Sequence, residues 1–496
     1  MKDSIGVIDK YIQGIWNNEI LGKKTFPRKL KVADVTPIHK KLSTVLKTNY
    51  RPVSILAVVS KVFEGFIDEQ TNKYIEKHLS KYLCGYRKGY SPQHAMLYMI
   101  EKFKECRDKG GYAAAVLMDL SKAFDTINHK LLIAKLRAYG FGILSLEIIF
   151  DYLSDRWQRT KINSAFSTLS ELLCGMAQGG KLGPKFFNIY LNDMFFEFVN
   201  TNVCNIADDT TPFVCDMKLE NVIKKLESDI TAVIYWFSAN FMILNESKCH
   251  FLISTPNECE EHLSIKVGGQ VIWESMSEVL LGVTIDKRLK FEGHVEYLCK
   301  NSSSKLSALT RMAKMAPFDK KKILMTSFIR SQFSHCPLVW MFCSRKLNDR
   351  INSTHKRALQ VVYLDYSSTF AELLEKDKSV TIHQRNLQLL AVEMFKIVKK
   401  IGPELMREIF KYCDDIVKTR SDRKFYRPNV ESESYGKSST RDLGPILWDE
   451  MLPAKFKDIQ KLEKFKKEIK KWSPRNCPCS LCKEYVGGVG FVTTFE

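Results

Sequence analysis

The stretch VCNIADDTTPFV, Val203 to Val214, decides how this chain is read. Two adjacent carboxylates, Asp208 and Asp209, stand between an apolar lead-in and a threonine-rich exit. Val203, Ile206, Phe213 and Val214 suit strands, and Asp tolerates turn geometry. The segment reads as strand, tight acidic turn, strand. An Asp-Asp pair alone decides little: Asp414 and Asp415 form another, which reads as a solvated loop. Asp119 gives the first pair its meaning. It follows the apolar run Ala113 to Met118, which reads as a buried strand. The chain then turns helical, with Phe124, Ile127 and Leu131 at helical spacing. Taken alone, Asp119 also suits a helix N-cap. Three carboxylates brought together repel one another, because like charges a few ångströms apart oppose ionisation. Two Mg2+ ions about 3.5–4 Å apart answer that repulsion and serve in-line phosphoryl transfer.

Other segments in order are NYRPVSIL (Asn49–Leu56), CGYRKGYSPQHA (Cys84–Ala95), MDLSKAFDTINHKLL (Met118–Leu132), QGGKLGPKFFNIYLND (Gln178–Asp193), LNESKCHFLIS (Leu244–Ser254) and LLGVTID (Leu280–Asp286). With IADDTT, they resemble the reverse transcriptase of a non-LTR, LINE-type retrotransposon of the Jockey/CR1-like kind. The resemblance runs from about Lys31 to Phe491. It implies an RNA-directed DNA polymerase with an RNA template, a DNA primer and deoxynucleoside triphosphates as partners. Asp119, Asp208 and Asp209 would be the catalytic residues and the ligands of two Mg2+. It also implies that Arg51 and Arg87 belong to the fingers. There each contacts substrate or template, or else forms a structural ion pair. Phe124 would pack under the incoming sugar and exclude a 2′-hydroxyl, which argues against an RNA-templated RNA polymerase. Gln178 and Gly179 would approach template or primer. Lys248 would lie near the substrate phosphates. Lys40 reads as a solvated lysine.

The chain departs from the family pattern at a few positions. Ile206 stands where an aromatic residue, usually Tyr, is found. Ala177 replaces Pro, Gly180 replaces Ser, and Lys181 and Lys185 replace apolar residues. The Gln-Gly loop should be looser for it. These changes motivate a second reading, a catalytically inactive nucleic-acid-binding remnant of such an element. An endonuclease domain normally lies upstream in the family, and nothing here matches one, so a truncated copy is expected.

At 496 residues, two or three domains are expected. The net charge of +20 favours a polyanionic partner, nucleic acid first and an acidic membrane surface second. No apolar run reaches 18 residues, so no membrane-spanning helix is expected. The N-terminus carries acids and lacks a signal-peptide core. Fourteen cysteines, mostly single among apolar neighbours, suggest buried thiols in a reducing, intracellular compartment. The resemblance adds nucleus or cytoplasmic ribonucleoprotein.

The expected fold is α+β, a right-hand polymerase with fingers, an antiparallel-sheet palm, a helical thumb and a basic C-terminal tail. Residues 1–30 read as a leader helix, with Ile5, Ile8, Ile12 and Trp16 in phase. Residues 31–290 hold fingers and palm. Arg156, Gln158, Arg159 and Lys161 form a basic stretch there, either a solvated face or a template contact. Residues 291–413 are thumb-like helices. One stripe is Leu298, Leu306, Leu309 and Met312; another is Leu347, Ile351, His355, Leu359 and Val362. Residues 414–496 read as a polar linker to about Gly444, then a lysine-rich helix and the tail NCPCSLCKEY. Cys477, Cys479 and Cys482 offer three thiols, but a zinc site needs four ligands. No His or Cys follows them, so zinc is not expected unless a fourth ligand comes from elsewhere.

Overall fold

The computed structural model describes residues 5–40, 43–257, 262–413, 424–474 and 477–485. Its fold is mixed α+β. Strands β1 (Val32–His39) and β2 (Tyr50–Leu56) form a hairpin in which Ile38 faces Arg51 and Pro37 faces Pro52. The extended backbone expected at Arg51 ahead of Pro52 is present. Strand β3 spans Tyr112–Leu117, and β4 (Trp157–Ile162) runs parallel to β1. Two short strands, β5 (Ala165–Phe166) and β6 (Ser170–Glu171), pair with β4. Strands β7 (Asn202–Ile206), β8 (Asp209–Asp216) and β9 (His250–Ser254) complete a second sheet of order β7-β8-β3-β9, antiparallel throughout.

Strand β3 is central in that sheet, and both its faces are covered. Its side chains alternate between two cores, as a pleated strand requires. Ala113 and Ala115 join one core with Met96, Met99, Ile100 and Phe103 of the helix Pro92–Asp108. Ala114 and Val116 join the other, with Val222, Leu226, Ile230 and Val233 of the helix Leu219–Ala239. Burial on both sides explains an unbroken apolar run in place of polar alternation. The small alanines let both helices approach the sheet closely.

The C-terminal half is helical. Leu306 and Leu309 of the helix Glu292–Met312 pack with Leu359 and Val362 of the helix Arg345–Tyr363. The expected stripe from Leu347 to Val362 is buried throughout, but Met312 is 45% exposed. The N-terminal helix Ile5–Gly14 continues in wider turns to Gly22, and Trp16 stacks on Phe63.

The segment read as a polar linker is anchored to the core at points: Phe425, Gly436 and Ser439 to Gly444 are buried, while Lys424, Tyr426 and Arg427 stay exposed. Asp108, at the end of the helix Pro92–Asp108, accepts from the Ser432 backbone and hydroxyl, both at 2.7 Å, and from Arg441 at 2.8 Å. Glu101, two turns earlier on the same helical face, accepts the backbone N–H groups of Thr440 and Arg441 at 3.0 Å each. Glu101 thereby satisfies two of the orphan donors at the start of the helix Thr440–Ile446. Polarity here reflects a buried hydrogen-bonded network. Asp414 and Asp415 lie outside the described residues. Among those described, no helix is long and apolar enough to cross a membrane.

Candidate active site

The acidic hairpin forms as expected. Ile206 pairs with Asp209, which leaves Ala207 and Asp208 as a two-residue turn. Such turns require a positive φ at their first central position when that residue opens a type II′ geometry. Ala207 has φ +58°. A residue with a Cβ is strained there, and its neighbours hold it in place. Asn205 is fully buried, and its amide donates to Ala207 O (3.0 Å), Asp209 O (3.3 Å) and Thr210 Oγ1 (3.0 Å). Gly85 lies against the turn: a Cβ on it would sit 2.5 Å from Ala207 N. Asn188 fixes that glycine by donating to its carbonyl at 2.8 Å. Leu83, just before, bridges to Asn205.

Strand β3 delivers the third carboxylate. Met118 N donates to Thr210 O at 3.1 Å, which keeps the β3–β8 register three residues beyond the Ala115–Phe213 pair. Asp119 therefore emerges beside the turn. The segment after it is fixed on its other side, where Asn245 N donates to Asp119 O at 2.8 Å. The charges register their proximity. Burial, and then the charges of Asp208 and Asp119, push the Asp209 carboxyl up to about 6. Burial and the Asp119 charge also raise Asp208, while Arg51 and Lys40 pull it back. Lys248 Nζ lies 3.4 Å from Asp119 Oδ2.

The remaining expected site residues divide. Arg51 is exposed on β2 and acts on Asp208 across the cleft. Arg87 is spent on its own loop. Its guanidinium donates to Glu76 (2.9 Å), Ser80 O (2.8 Å) and Leu83 O (3.0 Å) and lies over the Tyr90 ring. With its side chain 5% exposed, it is a structural clip, the alternative named for it above. Phe124 stacks on Phe187 at 4.3 Å and meets the edge of Tyr86 at 6.0 Å. Gln178 donates to Asp125 Oδ1 at 3.0 Å, and its carbonyl accepts from Ser54 N at 2.7 Å. Gly179, at φ +142°, makes that approach possible, since a Cβ would lie 2.3 Å from Ser54 O. Gln158, Arg159, Ser54 and Gln178 line a groove of about 550 Å³ beside this loop. Arg159 is paired there with Asp34 at 2.7 Å, whereas Arg156 is buried.

The two lysines in the Gln-Gly region are accommodated. Lys181 is exposed and gives only its backbone N–H to the buried Glu64, at 2.5 Å, whereas the buried Lys185 donates its ammonium to Asn72. Burial lowers the Lys185 pKa against the pull of Asp68 and Glu76. Gly85, Tyr86, Asn188 and Asn205 were not singled out in the sequence. Each is a lone residue in a loop, strand or helix and carries no periodic signal. Gly85→Ala should break the contact with the turn and cost about 1–3 kcal/mol, as overpacking does. Thermal melts with and without Mg2+ check this; an unchanged melt would mean that the loop stands off the hairpin.

Three carboxylates from two adjoining strands thus meet in one acidic cluster, with a lysine beside one of them and a glycine loop over the turn. The sequence model of the reverse transcriptase (RNA-dependent DNA polymerase) family matches residues 38–291, and the chain belongs to that family. It is 23% identical over 371 residues to the probable RNA-directed DNA polymerase from transposon BS of Drosophila melanogaster, covering 70% of this chain and 40% of that one. It is also 23% identical over 313 residues to the RNA-directed DNA polymerase from mobile element jockey of the same species, covering 61% and 34%. The chain thus spans less than half the length of these relatives. Among solved structures, apo telomerase from Candida tropicalis aligns at a TM-score of 0.40 and 10% identity, covering 76% of this chain and 63% of that one.

Proposed function

We propose that this chain is an RNA-directed DNA polymerase that adds deoxynucleotides to a primer 3′-hydroxyl on an RNA template. The observation that carries this reading is the convergence of Asp119, Asp208 and Asp209, where burial first and mutual repulsion second raise the pKa values of Asp208 and Asp209. An all-oxygen, anionic donor set suits a hard divalent cation. Asp119 and Asp208 would hold two Mg2+, with Asp209 supporting them. When bound, such ions lower the pKa of the attacking hydroxyl and steady the leaving phosphates.

The chain's own residues supply the rest. The 3′-oxygen would bond to the α-phosphorus as the bond to pyrophosphate breaks, and the hydroxyl proton would pass to solvent water. Lys248, beside Asp119, would give a proton to the departing pyrophosphate. Arg51 on its hairpin would neutralise triphosphate oxygens. Phe124, backed by Phe187, would present a flat edge beneath the sugar and exclude a 2′-hydroxyl. Gln178 and Gly179 would set the template strand against β2. In this scheme β1 and β2 are fingers, the β7-β8-β3-β9 sheet is palm, and the helices from Glu292 onward are thumb. The thumb helices line a groove of about 650 Å³ with Lys300 and with Arg350, which is paired to Glu296 at 3.1 Å; Lys300 would be its phosphate contact along a duplex.

The inactive-remnant reading rests on Ile206, which leaves the strand without an aromatic ring beside the turn. Primer extension on poly(rA)/oligo(dT) with Mg2+ separates the two. Product above an Asp119→Asn control supports the polymerase. Its absence, with retained binding of the primed template, supports the remnant.

A further inference from the structure

The tail lacks a fourth ligand only when read along the sequence. In the fold, His383 comes to the three thiols from 96 positions before Cys479. It lies in the first turn of the helix Ile382–Val398, which a reciprocal Thr381–Gln384 capping box fixes in place. The tail is tied to the same helix. Gln384 donates to Pro474 O at 3.1 Å, and Gln388 donates to Trp472 O at 2.6 Å. Cys479 then caps the short helix Ser480–Lys483, accepting the Cys482 N–H on its sulfur at 3.4 Å. All three cysteines are free thiols.

The geometry is that of a coordination shell. Ligand atoms of His383, Cys477, Cys479 and Cys482 all lie within 4.8 Å of one another, and all four residues are buried. His383 Nε2 is 3.5 Å from Cys479 Sγ. Tetrahedral zinc with Zn–S of about 2.3 Å and Zn–N of about 2.0–2.1 Å requires an N···S edge of roughly 3.6 Å. Three thiols and an imidazole are soft donors, which select zinc over magnesium. Four protein ligands leave no open position, so the site is structural rather than catalytic.

We propose that His383, Cys477, Cys479 and Cys482 bind a structural zinc ion that closes the C-terminal tail onto the helical half of the molecule. The site is separate from the acidic centre. Its effect reaches a third element, because Tyr485 follows shortly after Cys482. The Tyr485 hydroxyl donates to Asp349 Oδ1 at 2.6 Å and accepts from Asn348 at 3.1 Å, both in the helix Arg345–Tyr363. One ion would thus clamp two helices and the tail. Closing so long a loop in the unfolded chain is entropically costly, so zinc binding becomes folding free energy.

The test uses the full chain purified without chelator, with metal content, cobalt spectra and melting temperature as readouts. Stoichiometric zinc is expected. Cobalt exchange should give thiolate-to-metal charge transfer and the intense visible bands of tetrahedral Co2+. In constant excess Mg2+, a zinc-selective chelator should lower the melting temperature, and added zinc should restore it. His383→Cys should keep the metal and shift the cobalt bands, whereas Cys479→Ser should lose stoichiometric zinc. Should Cys479→Ser fail to fold, the wild-type and His383→Cys spectra still decide. Folded wild-type protein that holds no zinc and melts identically with chelator overturns the proposal. So does disulfide formation among the three thiols in freshly purified, reduced protein. None of these readouts depends on polymerase activity.

Discussion

Asp208→Asn is expected to abolish primer extension while raising the melting temperature of the metal-free protein. The two effects share one cause. Asp208 and Asp209 are held together with Asp119 in a partly buried turn, and burial plus mutual charge raises both carboxyls above their ordinary range. A group whose folded pKa exceeds its unfolded value stabilises the fold below the unfolded pKa and loses that contribution as pH rises through the folded one. For Asp209 the window runs from the ordinary carboxylate value near 3.8 to about 6. The metal-free wild type should therefore lose stability across that window, and Asp209→Asn should flatten the loss. Mg2+ should stabilise the wild type more at pH 7.5 than at pH 5, because only ionised carboxylates bind it. Loss of activity in Asp208→Asn should be roughly 10³-fold or more, the scale on which preorganised charge stabilisation is removed. Melting curves at several pH values, with and without Mg2+, check the sign. A variant that melts lower than wild type at pH 7.5 would mean that Asp208 is a structural acceptor and not a strained metal ligand.

Why this hairpin was legible, and much around it was not, follows from what sequence patterns encode. Strand-forming residues on either side of two turn-compatible acids leave few alternatives for Val203 to Val214. The run Ala113–Met118 is equally plain, since a strand buried on both faces must be apolar at each position. Arg51 and Arg87 look alike on paper, each a lone arginine in a motif that the resemblance assigns to the fingers. They differ only in what the folded chain offers: three acceptors and an aromatic ring for Arg87, open cleft for Arg51. Gly85 and Asn205 act through close approach and buried amide geometry, neither of which has a period. His383 is invisible as a metal ligand because its partners are supplied by a distant part of the chain. Asp108 and Glu101 sit in a helix with a buried apolar stripe, and nothing in that stripe marks which of the helix's acids are buried with it. A buried polar network reads as surface wherever hydrophobicity is the only guide.

That network carries the second large prediction. Asp108→Ala should destabilise the protein by about 3–5 kcal/mol, the cost of leaving a buried charge without its partner. The Asp108 and Arg441 side chains are 2% and 7% exposed, and their contact at 2.8 Å is the ion pair at the centre of the network. Ser432 would lose its acceptor as well, for both its N–H and its hydroxyl. Removing both charges with apolar residues, Asp108→Leu with Arg441→Met, should recover a large part of the loss, because the stranded guanidinium is then gone. Denaturant unfolding of the single and double variants measures the difference. A loss below about 1 kcal/mol for Asp108→Ala would place the pair in the class of exposed bridges and detach residues 424–444 from the core. The consequence reaches the acidic centre. The helix that ends at Asp108 covers one face of the sheet that carries Asp119, and Phe103 on it packs against Phe213 of β8 at 5.8 Å. Loosening the C-terminal segment frees that helix, and the spacing of the three carboxylates depends on the sheet it holds flat. Extension by Asp108→Ala should therefore fall at temperatures where the protein is still mostly folded, and the double variant should restore it in step with stability.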